Sequence, residues 1–380
     1  MTITANNAGG WTNGSTYNLI GYTTLNGTGL NNFAHAVNNL SARQAAIWGD
    51  TGAAITLAIA GDNPYWVGDT NGNWNTTAIN NLRLVTGGGY TTFLANDDLL
   101  FNNNATGTRV IDITENVATN TVVFDNNGSN PYTVGSVGGF GITSGSLTKN
   151  GLGALTINSS NSYTGATTIS MGAVTLAGTL GSTAISVGAS GTLTETSAGV
   201  IGGSASLTTS GTVTLAGANT YNGTTALNGG TLRATTSASA LGAGALALAG
   251  GELQLANDTG LNFGRNTTVT GNAQVTSDTL TAVAGVTHTL GTLSIGANTL
   301  TIAKGANATG TTAGVAFGAT TLTGPRPFPS ARAARSRWGR SRTGRIPPRS
   351  RVPGTLPRAG SGAAARAASP SAAPSRARPR

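Results

Sequence analysis

A pattern of residues near position 150 returns 58 positions later, in register. The first copy contains Gly153, Leu155, Ile157, Asn161, Tyr163, Gly165 and Val174, and the second contains Gly211, Val213, Leu215, Asn219, Tyr221, Gly223 and Leu232. An internal repeat of this kind constrains a fold more strongly than composition does, because every copy must adopt the same local structure. The chain is therefore predicted to consist of stacked copies of one unit.

A shorter period lies inside the long one. The pattern Gly-x-aliphatic-x-aliphatic begins at Gly153, Gly172, Gly191, Gly211, Gly230, Gly251, Gly271 and Gly291. Successive starts are 19 to 21 residues apart, so the longer unit is three shorter ones. In a strand, side chains two positions apart share a face. Each glycine therefore leads a short strand that presents two aliphatic side chains on one side.

Stacking these strands in register would align their aliphatic side chains in two columns. One column is Leu155, Val174, Leu193, Val213, Leu232, Leu253, Ala273 and Leu293, and the other is Ile157, Leu176, Glu195, Leu215, Ala234, Leu255, Val275 and Ile295. One coil cannot bury its own apolar face, whereas stacked coils bury a continuous one. We therefore predict an all-β fold, a right-handed parallel β-helix (solenoid) with coils of about 19–21 residues.

Glu195 is the charged exception in the second column. Burial of an unpaired carboxylate is costly. We therefore expect this coil to be distorted, or the Glu195 side chain to turn out to solvent.

The repeated segments resemble a known family. Leu147–Ala177 contains Leu-Thr-Lys-Asn-Gly-Leu-Gly-Ala-Leu-Thr-Ile followed by Asn-Ser-Tyr-Thr-Gly, and is similar to the autotransporter-associated β-strand repeat of secreted bacterial passenger proteins. Gly211–Ala234 is closer to the usual form of that repeat, and Tyr65–Thr77 is similar to a tryptophan-containing segment that often precedes it. The resemblance implies a secreted, surface-displayed β-helical passenger. It implies no catalytic residues, because the repeat carries none.

The residues that we assign to the structural repeat are Gly153, Leu155, Ile157, Tyr163, Gly172, Val174, Gly191, Leu193, Gly211, Val213, Leu215, Tyr221, Gly230, Leu232, Gly251 and Leu253. Tyr163 and Tyr221 stand in matching Asn-x-Tyr-x-Gly corners. These rings could bind a glycan, but repetition favours packing over a coil corner.

Pattern and composition divide the chain into four regions. Residues 1–60 are weakly organised, 61–148 read as N-terminal β coils, 149–324 form the β-helix repeat region, and 325–380 form a tail. Apolar spacing over Asn32–Trp48 predicts one helix. The start lacks the basic and apolar parts of a secretory signal, and no apolar run predicts a transmembrane helix. If the resemblance holds, we expect the chain to begin inside a passenger, or its true start to lie upstream.

Charge separates the tail from the rest of the chain. Residues 1–324 hold seven Lys or Arg and all twelve acids, whereas residues 325–380 hold fourteen Arg, no acid and ten of the twelve Pro. Such a tail cannot bury a core and is predicted to be disordered. It could bind nucleic acid or an anionic membrane without specificity. Arginine without lysine favours a second interpretation, a GC-rich gene read out of frame, in which case the missing end would carry a translocator barrel or another envelope anchor.

Candidate chemical sites are few. Asp69–Asn73 matches the first ligand positions of a calcium loop, but Trp74 stands where that loop needs glycine, so an Asx or Gly turn is favoured. The pairs Asp97–Asp98 and Asp112/Glu115 could suggest acid–base catalysis. Their apolar neighbours favour solvated faces and strand ends. His35 and His288 belong to no recognisable constellation, and we predict no metal and no cofactor.

An outward column of threonines is the last feature. It contains Thr156, Thr175, Thr194 and Thr214, with Thr192 and Thr212 beside it. Ice-binding solenoids use such columns, but threonine is in any case a good outward strand residue.

Three functions remain open: a structural passenger or stalk, with adhesion as a further role; a polysaccharide-active β-helix enzyme; and a nucleic-acid or membrane binder acting through the tail. The enzyme would need several carboxylates in one groove, yet residues 151–324 hold only Glu195, Glu252, Asp258 and Asp278. Glu252 is expected to form a weak surface pair with Arg233. We therefore predict a surface-displayed, autotransporter-like passenger at the bacterial exterior. We expect it not to be an enzyme, to have no specific nucleic-acid partner, and to meet a host, glycan or cell-surface ligand.

Overall fold

The structure is a computed structural model, and it describes residues 2–323 apart from 9, 13, 25–29, 31–33, 41, 42, 78, 86 and 87. The arginine-rich tail, predicted to be disordered, lies outside the described residues. Within the described part of the chain, strands are the regular structure and no α-helix occurs. The same part contains no helix that is long and apolar enough to cross a membrane.

The N-terminal layer, residues 2–61, consists of short strands. They are β1 (Thr2–Ala5), β2 (Thr16–Gly21), β3 (Ala34–Val37), β4 (Gln44–Asp50) and β5 (Ala54–Gly61). β1 pairs with β3 in parallel, while β5 lies between β2 and β4 in an antiparallel sheet. Leu57 and Ile59 of β5 pack with Trp11 in a small core of their own.

The helix predicted over Asn32–Trp48 is wrong. β3 and β4 occupy much of its described part, and residues 32, 33, 41 and 42 lie outside the described residues. The prediction rested on four apolar residues with helical spacing. Pairing of all seven residues of β4 with β5 gives this backbone hydrogen-bond partners that the local pattern could not reveal.

The first coils follow the layer. Their strands are β6 (Pro64–Trp66), β7 (Asn73–Trp74), β8 (Leu82–Leu84), β9 (Tyr90–Thr91), β10 (Asp97–Asn102), β11 (Val110–Ile113), β12 (Val117–Asp125), β13 (Tyr132–Gly135) and β14 (Ile142–Lys149). The pairs β6–β8 and β8–β9 are antiparallel. All described strand pairs formed by β10 and the strands that follow it are parallel.

The later coils repeat the same plan. Their strands are β15 (Leu155–Ile157), β16 (Ser160–Asn161), β17 (Thr167–Leu176), β18 (Thr179–Leu180), β19 (Ala184–Glu195), β20 (Val200–Ile201), β21 (Ser206–Thr209), β22 (Thr212–Leu215), β23 (Thr225–Leu227), β24 (Thr231–Thr235), β25 (Leu246–Leu248), β26 (Glu252–Ala256), β27 (Thr267–Val269), β28 (Ala273–Asp278), β29 (Thr287–Thr289), β30 (Leu293–Ile295), β31 (Leu300–Lys304), β32 (Gly314–Ala316) and β33 (Thr320–Leu322).

Two long parallel ladders connect successive coils. The first ladder runs β7, β11, β13, β15, β17, β19, β22, β24, β26, β28, β31. The second runs β6, β10, β12, β14, β17, β19, β21, β23, β25, β27, β30, β33. β17 and β19 are long enough to belong to both. β16, β18 and β20 form a shorter third side. The chain is an all-β, parallel β-solenoid, as predicted.

The first predicted column is confirmed over six coils. Leu155, Val174, Leu193, Val213, Leu232 and Leu253 pair in succession. Each of them is at most 2% exposed. The stack therefore buries a continuous aliphatic interior, which one coil alone could not do.

The register changes after β26. Leu253 pairs with Val275 and not with Ala273, and Leu293 lies in the second ladder beside Thr267. Leu255 pairs with Ser277, and Ile295 pairs with Val269. The predicted column positions of Ala273 and Leu293 in the first column, and of Val275 and Ile295 in the second, are therefore wrong. A shift by two residues leaves the same face of a strand inward, so alternation could not distinguish the two registers.

Candidate functional site

The repeated Asn-x-Tyr corner is the most regular candidate site. Asn161 Oδ1 accepts a hydrogen bond from the Ile142 backbone N–H at 3.0 Å. Asn219 Oδ1 accepts one from the Ile201 N–H at 2.6 Å. Both asparagines are buried, so each one satisfies a backbone donor of the preceding coil and holds two coils together.

The tyrosines of these corners point inward. Tyr163 shares a 2.7 Å hydrogen bond with Thr167, and Tyr221 shares an equivalent one of 2.7 Å with Thr225. Burial raises the pKa of Tyr163 well above its ordinary value and that of Tyr221 to about 12. Both side chains are at most 1% exposed. The rings fill coil corners and offer no surface to a glycan.

The repeat glycines lie where coils approach most closely. Gly172 pairs with Gly191. Gly230 has a φ of 64°, and a Cβ there would overlap the carbonyl oxygen of Gly211. Glycine at 230 therefore meets both a conformational and a steric need.

The prediction for Glu195 is wrong. Glu195 ends strand β19 and is 1% exposed, so its side chain does not turn to solvent. The pairing of β17 with β19 is irregular between Ile169 and Met171, but it is continuous from there to Leu176 and Glu195, so the strand is not distorted at Glu195. The following coil supplies its partners, since Gly217 N–H and Asn219 Nδ2 donate to Oε2 at 3.0 and 2.9 Å. A Cβ at Gly217 would lie 2.9 Å from Oε1, so glycine makes room for the carboxyl group.

The carboxyl group of Glu195 remains incompletely satisfied. Its Oε1 has no hydrogen-bond partner among the described residues. Burial raises the pKa of Glu195 to about 7, while the hydrogen bonds from Asn219 and Gly217 oppose the shift. The pKa of Glu195 thus lies well above that of a solvated glutamate because of its burial.

Lys149 is a buried charge that the sequence analysis missed. It is fully buried at the end of β14, between Phe124 and Ile169 of the second ladder. Its Nζ donates to the Gly151 carbonyl oxygen. Burial lowers its pKa to about 8, with the Asp125 charge opposing. Its place two residues after the inward Leu147 was the available signal.

The paired aspartates at the start of β10 have separate partners. Asp97 forms an ion pair of 2.9 Å with Arg43 of the N-terminal layer. Asp98 Oδ1 accepts hydrogen bonds from Asn120 and Thr121 at 2.7 and 2.8 Å. Burial raises the pKa of both carboxyl groups. Asp97 lies at a strand end, as predicted, but it is 1% exposed, so the expectation of a solvated face is wrong.

The other acids also hold loops together. Asp112 accepts a hydrogen bond from the Val137 N–H at 2.9 Å, and Glu115 accepts one from the Thr76 N–H at 2.5 Å. Asp69 bonds Tyr90 at 2.7 Å. In the predicted calcium-like segment, Asn71 accepts from the Asn73 N–H at 2.9 Å, which is an Asx turn. The described residues include no cluster of three potential metal ligands.

The two histidines have unrelated surroundings. His35 stacks on Trp48 with 4.7 Å between ring centroids. His288 is fully buried, and its Nδ1 accepts from the Leu261 N–H at 3.0 Å. Since Nδ1 is an acceptor, Nε2 carries the proton and donates to the Asp278 carbonyl oxygen at 2.9 Å. His288 therefore fixes a loop beside β28.

The outward threonines form the predicted column. Thr156, Thr175, Thr194 and Thr214 pair in succession, and Thr192 pairs with Thr212. The column continues as Arg233 and Gln254. The expected pair between Arg233 and Glu252 does not form: neither of the two ion pairs of the described residues involves them. Amide groups take its place, since Gln254 and Gln274 each donate to Glu252 at 3.1 Å.

Comparison with known families identifies these repeats. Residues 147–177 and 210–234 match the family model of the passenger-associated-transport-repeat. The chain carries two copies of this repeat. We found no match to the chain among curated proteins or among solved structures. The two passenger-associated-transport-repeat segments contain the equivalent Tyr163 and Tyr221 corners, so the family match and the packing describe the same unit.

The passenger-associated-transport-repeat is typical of autotransporter passenger domains. The resemblance of Leu147–Ala177 and Gly211–Ala234 is thereby confirmed, whereas that of Tyr65–Thr77 stays a prediction. The repeats and the solenoid together fit an autotransporter passenger with a structural role, and the repeat family implies secretion to the cell surface.

Proposed function

We propose that the chain is a structural passenger or stalk displayed on the outside of a bacterial cell. The observation that carries this proposal is the uninterrupted core, which extends from Trp66 to Leu290 as one cluster of buried side chains. A stack of coils that share one interior is stabilised by packing between neighbouring coils, without needing a bound group. Its function then depends on the side chains displayed outside.

The chain acts without catalysis in this proposal. Each acid considered for acid–base chemistry has a structural partner: Asp97 has Arg43, Asp98 has Asn120 and Thr121, Asp112 has the Val137 N–H, and Glu115 has the Thr76 N–H. Glu195 lies inside the core, where a substrate does not reach. A polysaccharide-cleavage assay on the purified chain tests the enzyme alternative. We expect no new reducing ends; cleavage that disappears in an Asp98→Asn variant would overturn this part of the proposal.

Adhesion is the further role that we propose, with a host, glycan or other cell-surface ligand as the partner. A translocator barrel or an envelope anchor would hold the passenger at the cell. The arginine-rich tail is not part of this role. The tail alternative is tested by deleting residues 325–380 and measuring salt-dependent DNA binding. A strong loss of this binding would favour the alternative, and unchanged binding would remove it.

Surface display is tested on intact cells that express the chromosomal locus. An antibody raised against residues 149–323 should label unpermeabilised cells, and external protease should remove the label. A matched antibody against a cytoplasmic protein is the control. Labelling that requires permeabilisation would overturn the proposed location.

A further inference from the structure

A cleft separates the N-terminal layer from the first coils. The N-terminal layer contributes Gly14 and Gly61 to its lining, Asp62 follows directly, and the coils contribute Val85, Asp98, Leu100, Thr121 and Val123. Its volume is about 430 Å³, within the range of about 300–1,000 Å³ that small-molecule sites occupy. None of the repeat residues lines it, so it is distinct from the Asn-x-Tyr corners.

Contacts at its edge hold the two walls in place. Arg43 of the layer forms its 2.9 Å ion pair with the buried Asp97 of β10. At a second point, a Cβ on Gly10 would lie only 2.8 Å from Asn120 Oδ1, so the layer lies directly against the coil there. The cleft is therefore preformed, which reduces the ordering cost of binding.

The walls combine polar acceptors with an aliphatic floor. Asp98 receives both of its side-chain hydrogen bonds, from Asn120 and Thr121, on Oδ1. Asp98 lines the cleft, so its carboxyl group is placed to accept a hydrogen bond from a ligand hydroxyl. Leu100 and Val123 are half-buried and pair with each other in the second ladder. The described lining residues include the carboxylates of Asp62 and Asp98 but no Lys or Arg.

The floor continues along the solenoid as a column of small hydroxyl side chains, here called the hydroxyl column. It consists of Thr148, Thr168, Ser186 and Thr208, which follow Val123 in the pairing of the second ladder. Neighbouring strands are ~4.8 Å apart, which is close to the length of one residue in an extended polysaccharide. A linear chain of sugars could place one residue against each coil.

We propose that the cleft binds one end of an extended neutral oligosaccharide, whose remaining residues lie along the hydroxyl column. Sugar hydroxyls both donate and accept, which suits Asp98, Thr121 and the column. The C–H faces of pyranose rings pack against Leu100 and Val123. The Asp98 carboxylate disfavours sulfated or sialylated sugars, since the described lining residues include no Lys or Arg. The inference specifies the ligand of the proposed surface role and rests on that role only for its biological setting.

The test measures binding of the purified full-length chain to neutral glucose, mannose and galactose oligosaccharides of two to six residues, by calorimetry. Heparin oligosaccharides and sialyllactose are the anionic comparison. We expect at least one neutral series to bind, with affinity that increases with chain length. Val85 is 54% exposed, so Val85→Arg should fold and obstruct the cleft, lowering the affinity about tenfold.

Val110→Arg is the matched control, because Val110 is 66% exposed and does not line the cleft. It should leave the affinity unchanged. Three results would each overturn the proposal: no binding of any neutral series, tighter binding of the anionic sugars with a gain in Val85→Arg, or equal losses in the two arginine variants. None of them affects the intact-cell test, so failure of the site and failure of the surface role are distinguishable.

Discussion

The coils of residues 64–135 and those of residues 155–256 fill their interiors with different side chains. The first group, the aromatic coils, encloses Trp66, Trp74, Phe93, Phe101, Phe124 and Tyr132. The second group, the aliphatic coils, encloses leucine, isoleucine and valine, with tyrosine only at the Asn-x-Tyr corners. In the aromatic coils, Phe101 stacks on Phe124 at 4.4 Å with an interplanar angle of 10°.

Coil length changes together with the core. Phe101 pairs with Phe124, and Tyr132 pairs with Leu155, which are steps of 23 residues. Leu155 pairs with Val174, a step of 19 residues. Protein interiors keep a nearly constant packing density. Within residues 64–256, the coils that enclose the larger side chains are accordingly the longer ones, and the change occurs at β15.

Phe101→Ala should have the largest effect on this comparison. The ring contacts Trp66, Trp74, Phe124 and Tyr132 with centroid distances between 4.4 and 5.8 Å. Its removal should lower the free energy of unfolding by about 3–5 kcal/mol, measured by denaturant unfolding at pH 7. Leu193→Ala in the aliphatic coils should cost about 2–4 kcal/mol. Val137→Ala, at a side chain that is 95% exposed, is the control. A larger loss for Leu193→Ala would reverse the comparison.

The aliphatic coils were the more predictable group. Their constant spacing fixed both the strand positions and the stack from Leu155 to Leu253. The register after β26 was not predictable, because a shift by two residues keeps the same face inward. The helix wrongly predicted over 32–48 shows a related limit of local patterns. β4 is a strand because it pairs with β5, and local spacing does not reveal that pairing.

Sequence spacing could not predict the buried charges or the cleft. Glu195 is tolerated because donors 22 and 24 residues later close on it, and that proximity depends on the length of the intervening coil. The cleft walls come from Asp62 and Asp98, which only packing of the layer on β10 brings together. The Asn-x-Tyr corner was recognisable because it occurs twice.

Glu195→Gln should have the next largest effect. It tests whether a buried acid lowers the free energy of unfolding of the aliphatic coils. The folded-state pKa of about 7 lies above the ordinary 4.5. The stabilising contribution of the protonated acid is therefore complete below about pH 4.5 and is lost as the pH rises through 7. Relative to the wild type, the glutamine variant should gain on the order of 3 kcal/mol across this window. Unfolding midpoints at pH 4.5, 6 and 7.5 measure the gain, and parallel curves for the two proteins would contradict it.

Gly165→Ala should destabilise a tight corner of the aliphatic coils by about 1–3 kcal/mol, since overpacking has this effect. A Cβ at Gly165 would overlap the carbonyl oxygen of Gly145. Gly128 lies between β12 and β13 of the longer aromatic coils, and its Cβ would meet nothing within 4 Å. Gly128→Ala is therefore the matched control and should be neutral or slightly stabilising. Equal losses in thermal unfolding would show that corner tightness does not differ between the two groups.

Tyr221→Phe should have the smallest effect, and it sharpens the comparison to two corners of the aliphatic coils. In the first copy, Thr167 also shares a 2.9 Å hydrogen bond with Thr183. In the second copy, the position equivalent to Thr183 is Leu241, so Thr225 has only Tyr221 as a side-chain partner among the described residues. Removal of the phenol oxygen then leaves a buried hydroxyl unsatisfied.

The expected loss is about 1–2 kcal/mol for Tyr221→Phe and about half as much for Tyr163→Phe, because a hydroxyl that keeps one partner avoids most of the desolvation penalty. Denaturant unfolding of both variants measures the difference. The double variant with Tyr221→Phe and Thr225→Val should recover most of the loss, since it removes both polar partners together. If the two single variants were equally stable, the second copy would not depend on its tyrosine more than the first, and the family-matched corners would be energetically as well as geometrically equivalent.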